Sequence, residues 1–265
     1  MTRLFRKVKQ KFLNNNKFSK YLLYAFGEVF LVMIGILLAL QFNNLNAQKE
    51  NSKKEKWYLT NIVEDLEYQK VILKDMIDHY EESIEIEEKL ISDYQSNFSF
   101  SKIDSLDDKL NYLTITYDYS RVDNTYKELI TSGQFNLISD KLLSINIINY
   151  YLLCEANDND VNNDLNNIFY KEIYPAINKF SQITIDEPST DKDNSSDTLD
   201  PSLTLYIQNK LKEPASKLEL INAIKTKLVL QDNFLYLIKE NLVENDSLIK
   251  NIDSYLGLNR GISLN

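Results

Sequence analysis

Few residues in this chain combine the type and the setting that chemistry needs. Glu28 is the most conspicuous. It is an acid inside Tyr21–Phe42, YLLYAFGEVFLVMIGILLALQF, where only Glu28 and Gln41 are strongly polar. An acid at the centre of a membrane helix costs about 2.5–3.5 kcal/mol on insertion scales, and less towards the ends. Seven residues in from Tyr21, Glu28 would lie about 10 Å deep. Its carboxyl fits three roles: a tolerated polar residue in an anchor, a polar contact between helices, or a proton-handling group. At 100° per residue, Tyr24, Glu28, Leu31, Gly35, Ala39 and Phe42 share an arc of about 80°. Gly35-x-x-x-Ala39 is a small-xxx-small pair, which lets a second helix approach closely. Glu28, Gly35 and Ala39 are therefore the candidate membrane helix–helix contact.

The remaining reactive residue types do not assemble into a catalytic set. The single histidine, His79, stands among carboxylates in DMIDHYEESIE and reads as a surface or seam residue. The single cysteine, Cys154, sits in the apolar run INYYLLCEA. It has no intrachain disulfide partner and reads as a small buried hydrophobe rather than a nucleophile. Asn157–Asp164, NDNDVNND, has the oxygen density of a calcium loop. Aligning Asp158, Asp160 and Asn162 as first ligands, however, puts Asn163 where glycine is required and Phe169 where the bidentate Glu belongs. It reads instead as a solvated helix face. No glycine-rich phosphate loop and no Cys/His zinc cluster occur in the sequence. The expectation is a non-enzyme with no cofactor, no metal and no catalytic residue.

These residues have to be positioned by the elements around them. Twenty-two residues at 1.5 Å rise span about 33 Å, against about 30 Å of hydrocarbon. The run is longer than the roughly 7–15 residues of a cleaved signal, and Leu45-Asn46-Ala47 is a poor cleavage site. It reads as an uncleaved signal anchor. The first 20 residues carry seven Lys and Arg and no acid, which leaves −16 on the remainder of a chain whose net charge is −9. The positive-inside rule keeps this basic arm in the cytoplasm, along the inner leaflet, and exports the rest. So acidic a remainder does not suit nucleic acid or anionic headgroups. The expected partners are the bilayer itself and another membrane or periplasmic protein, or a second copy of the chain.

Five Gly and four Pro in 265 residues argue against an all-β fold and for long helices. The membrane helix is expected to continue through a charged stalk, residues 43–56, into a helical domain over 57–265. Trp57 and Tyr58 would form its first packing layer. Along the first helix, Leu59, Ile62, Leu66, Leu73, Met76, Tyr80, Ile84, Ile91 and Tyr94 follow three-four spacing, with Gln69 and Glu87 in the gaps. Thr125 and Glu128 form the pattern of a capping box, and Gly133 ends that helix in the left-handed conformation. Ser139 or Asp140 caps a long helix that Pro175 should end or kink. Residues 186–201 form an acidic loop without an apolar pattern, and Pro214 opens the last helix. There Ile221, Ile224, Leu228, Gln231, Leu235, Ile238, Leu242, Asn245, Ile249, Ile252 and Leu256 alternate steps of three and four. This is a coiled-coil-like seam, with Gln231 and Asn245 either as register-setting polar layers or as water-satisfied amides of a bundle core, on a helix expected to run antiparallel to the first.

Two stretches carry a resemblance. Lys17–Tyr21, Gly27-Glu28, Ile34-Gly35-Ile36-Leu37, Ala39-Leu40-Gln41 and Asn43-Asn44 are similar to the N-terminal signature of a bacterial family, domain of unknown function 6090. Thr125-Tyr126-Lys127-Glu128-Leu129, Ser132-Gly133 and Asn136-Leu137-Ile138 resemble its central motif. Leu45 stands where the family pattern has Trp. The resemblance implies a Gram-negative inner-membrane protein with a helical exported domain, and no assigned activity. The fold expected is all-α: one N-terminal transmembrane helix continuing into a periplasmic bundle of long helices. An interaction or scaffold role leads, ahead of a ligand-sensing bundle and a proton-coupled subunit that uses Glu28.

Overall fold

A computed structural model describes residues 16–183 and 200–257. Residues 1–15 of the basic arm and most of the acidic loop, 184–199, lie outside them. Among the described residues every regular element is helical, so the all-α expectation holds. The chain divides into two units, residues 1–57 and 58–265.

The first unit contains the N-terminal part of α1, an 82-residue helix spanning Asn16–Asn97. Neither Pro nor Gly interrupts it between Asn43 and Asn97. Residues 43–56 are helical and carry the ion pair Lys53–Glu50, 2.8 Å.

The second unit is built on α1 beyond Tyr58, α4 (Lys141–Asp164) and α7 (Pro214–Leu256). Shorter helices lie between them: α2 (Leu106–Tyr112), α3 (Asn124–Thr131), α5 (Tyr174–Asn178) and α6 (Pro201–Lys210). Its core begins at Tyr58 and Leu59, whereas Trp57 stays half exposed, a correction to the pair expected as one layer. Along α1 positions 59, 62, 66, 69, 73, 76, 80, 83, 87 and 90 are buried at alternating steps of three and four, with Glu55, Tyr58 and Val63 buried beside them. Pairings between Lys70 and Asp246, and between Lys227 and Glu87, set α7 antiparallel to α1.

On α7 seven of the eleven expected seam positions are buried, Ile221 and Ile249 among them. Ile224, Gln231, Ile238, Asn245 and Ile252 are buried, but the innermost partners of these are Leu220, Lys227, Phe234, Asn241 and Leu248. Leu228, Leu235, Leu242 and Leu256 are only partly buried. A helix packed on more than one neighbour buries a wider arc than a two-helix seam, and the flanking leucines fill its edge.

Local signals fared unevenly. Asp140 caps α4, accepting from the N–H groups of Leu142 and Leu143 at 2.8 and 3.0 Å. Gly133, at φ +68°, closes α3: its own N–H reaches the Ile130 carbonyl and that of Gln134 the Leu129 carbonyl. The capping box does not form. Thr125 lies inside α3, its N–H donating to Asp65 of α1 at 2.9 Å, and Glu128 accepts from the Tyr58 hydroxyl. A neighbouring helix supplies the acceptor that the local side chain was expected to provide. Pro175 does not end its helix. Residues Leu165–Ile173 take π-helical geometry, the Tyr174 N–H bonds the Phe169 carbonyl five residues back, and α5 continues to Asn178. The wider turn accommodates a ring that has no N–H and crowds the preceding turn. Pro201, placed in the loop by the sequence, is the first residue of α6, capped by Asp200.

Candidate functional site

The candidate membrane face comes from α1. An 18-residue window of this helix has a mean hydropathy of 2.1 and none of it is buried. Glu28, Gly35 and Ala39 are all exposed. A Cβ added at Gly35 would meet nothing within 4 Å. A helical glycine costs about 0.8–1.0 kcal/mol relative to alanine, and no packing within the described residues requires it. The face offers a small-residue approach surface and one carboxyl, and touches no other described element.

The second unit holds two polar layers. The core falls into two apolar clusters, one around Leu73, Phe169 and Phe234, the other around Leu59, Tyr151 and Leu248. Between them each long helix contributes an amide: Gln69 from α1, Asn157 from α4, Asn241 and Asn245 from α7. Asn157 donates to Asn241 at 2.9 Å, and Asn241 to the Tyr119 hydroxyl at 2.6 Å. Asn245 donates to the Leu66 carbonyl and the Tyr150 hydroxyl. Gln69 clamps the non-helical connector between α2 and α3, donating to the Ser120 carbonyl and accepting from the Val122 N–H. Arg121 of that connector pairs with Asp158 at 2.8 Å. Asn157–Asp164 is thus helical, but not a purely solvated face: Asn157 is core and Asp158 is ion-paired.

The other layer contains a charged pair that the sequence did not announce. Lys227 Nζ lies 2.9 Å from Glu87 Oε1, with the two side chains 1% and 0% exposed. Ser83 accepts from Lys227 at 3.0 Å and donates to Glu87 at 3.1 Å. The ammonium also stands 5.9 Å from the Phe169 ring centroid, in the π-helical stretch. Glu87 Oε2 and both amide atoms of Gln231, one turn from Lys227, have no hydrogen-bond partner among the described residues. Burial pushes the Glu87 carboxyl up and the Lys227 ammonium down, each opposed by attraction to the other. Being sealed from solvent, the pair cannot meet a substrate. Glu87 falls in a gap of the apolar pattern; its partner Lys227 gives no signal, because a lone lysine on a long helix reads as surface.

His79 is half-buried against Tyr112 and Tyr117, the latter ring centroid 4.3 Å away, and burial lowers its pKa. Cys154 is buried, and burial pushes its thiol up, consistent with an inert side chain. Among the described residues no group of three His, Cys, Asp or Glu is placed to hold a metal ion.

Family of unknown function (DUF6090) matches residues 28–210, from Glu28 in the apolar stretch to the last residue of α6. Lys17–Tyr21, Gly27 and the whole of α7 lie outside the matched residues. No curated protein and no solved structure matches the chain. The matched residues are more than half of the chain, and the protein belongs to DUF6090, a family of unknown function.

Proposed function

We propose that the chain is a single-pass inner-membrane protein whose basic arm stays in the cytoplasm and whose helical domain, residues 57–265, works in the periplasm as a non-catalytic interaction or scaffold module. The observation that carries this reading is the apolar stretch of α1. It is long enough to span hydrocarbon, and its most apolar window is wholly exposed, so the bilayer is its natural solvent. The charge step from the basic arm to the acidic remainder supports the orientation. The burial of the Lys227–Glu87 pair supports a structural rather than a catalytic use of it. A reporter fused after Asn265 is expected to be active only outside the cytoplasm, and protease added to spheroplasts should digest the helical domain. A protected domain in intact spheroplasts would reverse the topology.

A ligand-sensing reading has one observation in its favour. A cavity of about 230 Å³ has Phe100, Phe180 and Leu211 in its wall, with Asp107 and Thr204 as polar groups. Stabilisation of the domain by a small molecule, lost on filling that cavity, would favour the sensor.

A further inference from the structure

The long helix α4 has two apolar faces, and the core uses only one. Its inner face buries Leu143, Ile147, Tyr150, Tyr151, Cys154, Asn157 and Val161. On the opposite side Leu142, Ile145, Asn149, Leu152 and Ala156 are all exposed, again at alternating steps of three and four. Leu142, Ile145 and Leu152 are 68%, 52% and 54% exposed. This is a second seam, facing outwards. Leu142–Cys154 contains no charged residue, in a chain where 26% of residues are charged.

We infer that this outer seam of α4 is a homotypic docking surface, taken by the same seam of a second copy of the chain. Three observations select that occupant. The chain is strongly acidic, so two copies repel one another over most of their surface, and α4 offers a face where that repulsion is absent. Asn149 sits at the centre of the five positions, so a two-fold axis brings Asn149 against Asn149 whether the helices run parallel or antiparallel. A single amide in an apolar seam is a device that selects register and partner number at some cost in stability, and the two amides satisfy each other. The flanking pairs are Leu142 with Ala156 and Ile145 with Leu152 if the helices are antiparallel, and each residue with its own copy if they are parallel; all are apolar. Beside the seam, a groove of about 330 Å³ between α4 and α7 includes Asn146, Asn149, Leu153 and Ser247 in its walls. One helix face buries less than the roughly 800 Å² per partner of a standard interface, so the contact is weak in dilute solution. Two copies held in one membrane meet at a far higher effective concentration, and in that respect the inference rests on the anchored interaction module proposed above.

The test uses the full chain in native membranes, expressed as two differently tagged copies. A photocrosslinking amino acid is placed at Asn149 and, in a control, at Glu64, which is exposed on α1. At Asn149 the expected product contains both tags, with a yield at least tenfold above the control. Leu152→Glu, an exposed change that leaves the melting temperature unaltered, should cut that yield tenfold or more. An adduct only to a different protein would overturn the second copy as occupant while leaving the interaction module standing. An adduct within one chain, no adduct to any protein, or a yield indifferent to Leu152→Glu would each overturn the surface itself.

Discussion

Lys227 and Glu87 show what a buried charge does for a fold and what it demands. Two ions taken out of water lose solvation that one contact at 2.9 Å only partly restores. Burial accordingly drives both groups towards their neutral forms, while each opposes the shift of the other. Removing one partner strands the other, so Lys227→Ala should lower stability by about 3–5 kcal/mol. Exchanging both for apolar residues of similar volume, Lys227→Met with Glu87→Leu, should return it to the wild-type level or above. Urea unfolding of the detergent-solubilised chain, followed by circular dichroism, measures both. If the double variant is as unstable as the single, the pair stabilises more than its desolvation costs, and the layer is a net source of stability. The amide layer has a different origin. Gln69, Tyr80 and Asn241 face the connector between α2 and α3, whose backbone lacks helical hydrogen bonds. Gln69 takes up the Ser120 carbonyl and the Val122 N–H, and Tyr80 takes up the Tyr117 carbonyl at 3.0 Å.

Elements were legible in the sequence where one local signal decided them. The all-α fold, the Asp140 cap, the left-handed Gly133 and the Pro214 start follow from residue chemistry within a few positions. What failed was whatever a neighbouring element decides. Thr125 and Glu128 make a capping box on paper, but across the bundle Asp65 accepts from the Thr125 backbone N–H and the Tyr58 hydroxyl donates to Glu128. The three-four pattern of α7 was visible, yet apolar residues were assigned inwards by type. Leu228, Leu235 and Leu242 were preferred to Lys227, Phe234 and Asn241, each one residue earlier. Only Glu87, Tyr80 and Asn157 on the facing helices make the second set the better core. The two sets separate by experiment. Phe234 is 1% exposed and meets Tyr80 edge-on at a centroid distance of 6.0 Å. Phe234→Ala should therefore cost about 3–5 kcal/mol. Leu235→Ala, at the partly buried edge, should cost less than half as much. Equal losses in the same urea experiment would restore the seam read from sequence.

At the scale of the whole molecule the open matter is whether the membrane helix does more than hold the domain in place. Gly35 is not required by packing within the described residues, since a Cβ there meets open space. Its use, if it has one, is therefore towards another helix. If Glu28, Gly35 and Ala39 form a helix–helix face, Gly35→Leu blocks close approach by bulk alone. Glu28→Gln keeps a hydrogen-bonding group at that depth, so association should change by no more than about 1 kcal/mol. A proton-coupled role gives the opposite pattern: Glu28→Gln abolishes activity while assembly persists, because an amide cannot exchange a proton at that site. A passive anchor makes both changes silent and lets a foreign apolar helix replace residues 21–42. Crosslinking yield in native membranes, for wild type, Glu28→Gln and Gly35→Leu at matched expression, separates the interface from the passive anchor. The expected result is a large loss for Gly35→Leu and near-wild-type yield for Glu28→Gln. Equal yields in all three would remove the interface and leave Glu28 as a polar residue that the helix carries at a cost of about 2.5–3.5 kcal/mol or less, according to its depth.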